Sequence, residues 1–143
     1  MTTIKQVISD KGFEVKSIEP ETDSISAVKI MAQSGIGSLV VIKDGNVIGI
    51  FSEKDFARKV IVEDRHTENV PVSEVMTSPV IAIKPEQSIE EGLSIMTEKR
   101  VRHLPVMDGD TLVGLISIGD LVKAIIKDQQ FTIEQLEHYI HYS

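Results

Sequence analysis

The sequence predicts an α/β (α+β) fold: two β-α-β-β-α units packed as a pseudo-twofold pair, with a short helix at each end. Three observations carry this. First, the chain repeats itself without a gap at an offset of 65 residues. Residues 15–60 and 80–125 match identically at Val15/Val80, Ile18/Ile83, Pro20/Pro85, Glu21/Glu86, Ile30/Ile95, Met31/Met96, Leu39/Leu104, Val41/Val106, Gly49/Gly114, Ser52/Ser117 and Asp55/Asp120. Second, apolar periodicity in each copy runs strand, helix, strand, turn, strand, helix. Third, a unit of about 50 residues has too little core to be comfortable alone, and pairing two of them solves the problem for both.

Taken in order, residues 3–11 have helical spacing, with Ile4, Val7 and Ile8 on one face and Gly12 placed to end the helix. Val15–Ile18 is a short strand stopped by Pro20, and Asp23 to Gln33 is a helix broken by Gly35 and Gly37. Leu39–Ile42 and Val47–Phe51 are strands joined by Asp44-Gly45-Asn46, a strong hairpin turn because Gly and Asn accept positive φ. A helix follows from Glu53. The second copy gives strand Val80–Ile83, helix Ser88–Lys99, strand His103–Met107, turn Asp108-Gly109-Asp110, strand Leu112–Ile116 and helix Gly119–Lys127. Between the copies, Glu63–Asn69 is polar and loose, and Pro71–Met76 is one helical turn. Thr132 and Gln135 form a capping box that starts a last helix with Ile133, Leu136 and Ile140 apolar. The expected division is therefore a helix at 1–13, units at 14–70 and 71–128, and a helix at 129–143.

Composition narrows the function classes. The chain has 143 residues, 41% hydrophobic and 26% charged, as in an ordinary globular protein. It has no cysteine, which removes thiolate chemistry and suits a reducing cytoplasm. No signal core or membrane span is expected. A net charge of −7 argues against general nucleic-acid binding but not against a small anionic ligand in a local basic pocket. No nucleophile elbow, Walker lysine loop or metalloprotease motif is present, so neither catalysis nor a catalytic cofactor is expected. His66, His138 and His141 lack acidic partners at ligand spacing, so no metal site is expected either.

The shared Gly-x-x-Ser-x-x-Asp, at 49–55 and 114–120, is the first place to look for a ligand. Each Ser and Asp falls at a strand end and a helix start. There they serve as caps, or they act on a ligand: the Asp accepting from ribose hydroxyls, the Ser donating to ribose or phosphate, with helix amides open to an anion.

The internal duplication, Arg-His-Leu-Pro-Val at 102–106 and the two Gly-x-x-Ser-x-x-Asp segments resemble a tandem pair of cystathionine-β-synthase (CBS) domains, a Bateman module. The runs Phe-Ser-Glu-Lys-Asp-Phe-Ala-Arg-Lys-Val and Ser-Ile-Gly-Asp-Leu-Val-Lys look like those of stand-alone bacterial CBS-pair proteins. The resemblance covers roughly residues 14–127. It implies binding of AMP, ATP or NAD(H) in clefts between the two units, signalling by conformational change, a homodimer and an unidentified downstream protein.

The resemblance also implies site residues. Ser52 and Asp55 would hold the ribose of a nucleotide whose phosphate meets Arg102 and His103; the equivalent cleft on Ser117 and Asp120 would receive Gly37 and Ser38 and bind phosphorylated ligands less tightly. Lys54 is a further cation able to reach a phosphate. The adenine slot would come from Lys16 and Ile18, from Pro79, Ile81 and Ala82, and from Val40 and Pro105 on adjoining strands. Against this sensor stand two other readings: a non-binding CBS pair that mainly dimerises and holds a partner, and an enzyme of unknown type, which the motifs disfavour.

Overall fold

A computed structural model describes residues 1–63 and 69–142; His66 and most of the polar stretch 63–69 lie outside these. In chain order the elements are α1 (Ile4–Lys11), β1 (Ser17–Ile18), α2 (Ser24–Ser34), β2 (Ser38–Lys43), β3 (Asn46–Ser52), α3 (Glu53–Asp55), a π-helix (Phe56–Val62), α4 (Val72–Val75), α5 (Ile89–Lys99), β4 (His103–Asp108), β5 (Thr111–Ser117) and α6 (Ile118–Tyr142).

Local chemistry sets most of these boundaries. Thr3 caps α1 in a reciprocal box with Gln6: Thr3 Oγ1 accepts from the Gln6 amide at 3.3 Å and Gln6 Oε1 accepts from the Thr3 amide at 2.8 Å. Asp23 caps α2, and Ser88 at the equivalent place caps α5. The β2–β3 hairpin turns on Asp44 and Gly45 at φ 51° and 80°, both left-handed as the tightest hairpin turn requires. Antiparallel pairing sets Ser38 opposite Ser52, and His103 opposite Ser117 in the β4–β5 hairpin.

The units that pack do not follow the expected boundaries at 70 and 71. One is Glu14–Ile81; the other is Met1–Phe13 together with Ala82–Ser143. The segment leading into each repeat docks on the other repeat, and it docks the same way both times. Around α4, Val72 N–H donates to Thr22 O, Ser73 N–H to Pro20 O, and Ser24 N–H to Val70 O, at 2.8, 3.0 and 2.8 Å. Around α1, Ile4 N–H donates to Gln87 O, Lys5 N–H to Pro85 O, and Ile89 N–H to Thr2 O, at 2.8, 2.9 and 3.2 Å. Apolar burial completes both clamps. Val72 and Val75 join Ile18, Met31, Leu39 and Phe51 in one core. Ile4 and Ile8 are buried, and Gly92 and Gly114 leave room for them.

Four further features differ from the sequence expectation. β1 keeps only Ser17–Ile18, paired parallel to β2 at Val40 and Val41. The strand expected at 80–83 is reduced to a single parallel bridge between Ile83 and Val106. The helix after Glu53 is α-helical for one turn and then π-helical. The expected C-terminal helix is present but not separate: it is the distal part of α6, which runs unbroken from Ile118 to Tyr142. Nothing between Lys127 and Thr132 breaks a helix. Thr132, read as a cap, instead turns its hydroxyl back to the Asp128 carbonyl at 3.0 Å, the habit of a threonine inside a helix.

Candidate functional site

The two Ser–Asp turns are built alike. β3 ends at Ser52, whose Oγ accepts from the Asp55 amide at 3.2 Å while Asp55 Oδ2 accepts from the Ser52 amide at 3.0 Å. In the second copy, Ser117 Oγ accepts from the Asp120 amide at 3.1 Å and Asp120 Oδ2 accepts from the Ser117 amide at 2.8 Å. Each pair thus caps the helix that follows its strand.

The other contacts of the two carboxylates differ. Asp55 is only 7% exposed. Its Oδ1 accepts from Thr77 Oγ1 at 2.9 Å and stands 3.4 Å from Lys59 Nζ. Thr77 is fixed there by a two-way bridge to Ile50, its N–H donating to Ile50 O at 2.8 Å and its carbonyl accepting from Ile50 N–H at 3.1 Å. Lys59, on the π-helix, also donates to the Val75 and Met76 carbonyls at 3.1 and 3.3 Å, which ties the end of α4 to the turn. Asp120 instead meets a cation from α1: Lys11 Nζ lies 2.6 Å from Oδ2 and donates to Leu115 O at 2.9 Å.

These surroundings set the charges. Burial pushes the Asp120 carboxyl up, but hydrogen bonds from Lys11 and Ser117 outweigh it and hold the group below its ordinary 3.8. His103 is lowered from 6.5, chiefly by burial, then by Lys11; Asp120 opposes the shift and Arg102 adds to it. Burial thus favours the neutral form of His103, while Arg102 beside it is exposed.

Of the sequence-predicted residues, one packed unit holds Lys16, Ile18, Ser38, Val40, Ser52, Lys54, Asp55, Pro79 and Ile81, and the other holds Ala82, Arg102, His103, Pro105, Ser117 and Asp120. Ile18, Val40 and Pro105 are buried, as core strand residues are, whereas Lys16, Lys54, Pro79 and Ala82 are exposed. Ser38 is 1% exposed, and its Oγ has no hydrogen-bond partner among the described residues. Thr77, Lys59 and Lys11 were not anticipated. A signal for two of them lies just outside the ungapped repeat: Ile4-Lys5-Gln6-Val7-Ile8 aligns with Val72-Ser73-Glu74-Val75-Met76 at an offset of 68, so the residues after each segment approach equivalent turns. Among the described residues, no group of three or more His, Cys, Asp or Glu is placed to hold a metal ion. No described helix is long and apolar enough to cross a membrane.

Comparison with known proteins agrees with this geometry. The family model of the CBS domain matches twice, at residues 4–62 and 72–127. A mitochondrial CBS domain-containing protein of Arabidopsis thaliana, CBSX3, is 35% identical over 97% of this chain and 72% of its own length. A solved CBS-domain structure from Burkholderia ambifaria, assigned to signal transduction, is 45% identical over 92% of this chain and 99% of its own, with a TM-score of 0.85. A hexameric CBS-CP12 protein from bloom-forming cyanobacteria is 26% identical over 85% of this chain and 70% of its own, with a TM-score of 0.76.

Proposed function

Because the chain belongs to the CBS domain family and carries two CBS domains in tandem, we propose that it is a regulatory module that binds an adenine nucleotide of the AMP, ATP or NAD(H) class and signals by conformational change. The observation that carries the ligand reading is Ser38. A buried hydroxyl without a partner is rare and calls for a polar group to complete it. Of the two such hydroxyls among the described residues, Ser24 and Ser38, it is Ser38 that sits across the ladder from Ser52, beside the turn that ends in Asp55. Ser52, Asp55 and Ser38 together offer donors and acceptors suited to the hydroxyls of a ribose. Thr77, a neutral hydroxyl on Asp55, can be exchanged for a ribose hydroxyl at little cost. Arg102 is the proposed phosphate contact, since it is exposed and always charged. The adenine slot, drawn from Lys16, Ile18, Val40, Pro79, Ile81, Ala82 and Pro105, and the supporting cation Lys54 belong to the same proposal. We place the protein in the cytoplasm, which the absence of cysteine suits.

A homodimer is the second part of the reading. On α6, Ile118, Val122, Ile126, Ile133, Leu136 and Ile140 are all exposed and, at helical spacing, share one face. A stripe this long on one helix calls for a partner, and a second copy of the same stripe is a self-complementary one.

A thermal-shift screen with AMP, ADP, ATP, NAD and NADH tests the nucleotide reading. A ligand at 100 times its dissociation constant raises stability by about 2.7 kcal/mol. Asp55→Ala and Arg102→Ala should each reduce the shift. A protein whose melting none of the five nucleotides moves is not this sensor, and the dimerising, partner-holding alternative would then stand.

A further inference from the structure

Resting on the nucleotide reading above, we propose that Lys11 is a specificity-determining residue that holds Asp120 closed to ribose, so that the two Ser–Asp turns do different work. The two turns present the same acceptors, a strand carbonyl and a carboxylate: Ile50 O with Asp55, and Leu115 O with Asp120. In the first, Thr77 satisfies both with its own amide and hydroxyl, at 2.8 and 2.9 Å. In the second, one ammonium does both, Lys11 Nζ reaching Leu115 O at 2.9 Å and Asp120 at 2.6 Å.

The substitution changes what a ligand must displace. A ribose hydroxyl that replaces Thr77 exchanges one hydroxyl-to-carboxylate bond for another and leaves the Lys59 ammonium, 3.4 Å from Asp55 Oδ1, in place. A ribose hydroxyl that replaces Lys11 gives up an ion pair at 2.6 Å, in which both donor and acceptor are charged. Nor is Lys11 a loose side chain. It ends α1, whose start is clamped by the main-chain bonds around Ile4 and Lys5, and Thr2 Oγ1 adds a bond to Asp128 on α6 at 2.6 Å. The pair lines a cavity of about 1060 Å³ in its own unit, beside Gln6, Asp10 and Lys123, so it can be reached from solvent. The Asp120 turn is thus open to approach, with Lys11 and the Ser117 amide both on the Oδ2 oxygen of its carboxylate.

Calorimetric titration of the full chain with AMP separates the possibilities. Wild type should show a binding event that Asp55→Ala weakens and Asp120→Ala does not. Lys11→Met, which keeps the side-chain stem, should add or tighten a second event by at least about tenfold. That gain should vanish in Lys11→Met/Asp120→Ala and be absent in Lys11→Arg, which keeps the cation. Thermal melts of the same variants report that each is folded. If folded Lys11→Met binds AMP as wild type does, or less well, the proposal is overturned; in the second case Lys11 would be a phosphate ligand. If Lys11→Met gains the event while Asp55→Ala leaves wild-type binding unchanged, the Asp55 assignment fails and the role of Lys11 stands.

Discussion

Gly49 and Gly114 repeat because two helices approach there, not because a turn needs them. A Cβ built on Gly49 would lie 2.5 Å from Met76 Sδ and 3.1 Å from the Thr77 carbonyl; one on Gly114 would lie 2.8 Å from Ile8 Cδ1. Either alanine therefore pushes a docked segment off its hairpin, at a cost of about 1–3 kcal/mol. Gly49→Ala should cost more in urea denaturation, because the thioether can bend aside but the carbonyl beyond it cannot. Equal midpoints for wild type and both variants would remove the close-packing account. Titration makes a second prediction at this scale. Lowering His103 means the unfolded chain takes up its proton first, so stability falls as pH drops below about 6.5 toward the folded value. Asp120 acts the same way lower down: its contribution is present above about 3.8 and is lost as pH falls through the depressed folded value. His103→Gln should flatten the stability profile below about pH 6.5 while leaving the more acidic limb, set by carboxylates such as Asp120, in place. The residue types of the Ser–Asp turns were legible in the sequence, as was their double meaning as caps or ligand groups. That Lys11 bonds directly to the Asp120 carboxylate was not, because Lys11 reads as an ordinary cation at a helix C-terminus.

Among the elements, α6 shows most clearly where sequence reading stops. The capping signal at Thr132 is real chemistry, but a cap needs the chain to leave helical geometry, and Gln129-Gln130-Phe131 provides no reason to do so. A continuous 25-residue helix follows, and its apolar stripe then spans the whole length instead of a short terminal piece. Charge placed on the distal half of the stripe should therefore disrupt association without touching the fold. Ile133→Glu/Leu136→Glu is expected to shift light scattering from dimer to monomer at tens of micromolar, an ordinary affinity scale, with the helical signal and melt of the body retained. A variant that scatters like wild type would detach α6 from the interface. Hairpin turns and the caps of α2 and α5 were readable because each depends on two or three adjacent residues. The π-helix after Asp55 was not, since its residues fit an α-helix equally well; in the folded chain it carries Lys59 to the end of α4.

At the scale of the molecule, the sequence repeat and the packed unit are different objects. Periodicity reports that Ile4, Val7 and Ile8, or Val72 and Val75, have a face to bury; it does not report against what. The folded chain exchanges the two leading segments, each completing the other repeat with three main-chain bonds and with buried aliphatic side chains, Ile4, Val7 and Ile8 from α1 and Val72 and Val75 from α4. This makes a prediction about fragments that the repeat alone would place wrongly. Cutting where the repeat divides, residues 1–70, strands the α1 segment without its partners and leaves the first core without Val72, Val75 and the Thr77 bridge. Cutting where the packing divides, residues 14–81, keeps every member of that core, the three main-chain bonds around α4 and the Thr77 bridge. Losing two buried valines costs about 2–5 kcal/mol by the scale of large-to-small core substitutions, as much as many small domains have in total. Residues 14–81 should therefore unfold more cooperatively in urea, and at a higher midpoint, than residues 1–70. Adding residues 71–81 to the shorter fragment as a free peptide should recover part of the difference. Should 1–70 unfold with the same sharpness and midpoint as 14–81, α4 contributes nothing to the first core and the exchange of segments has no energetic weight.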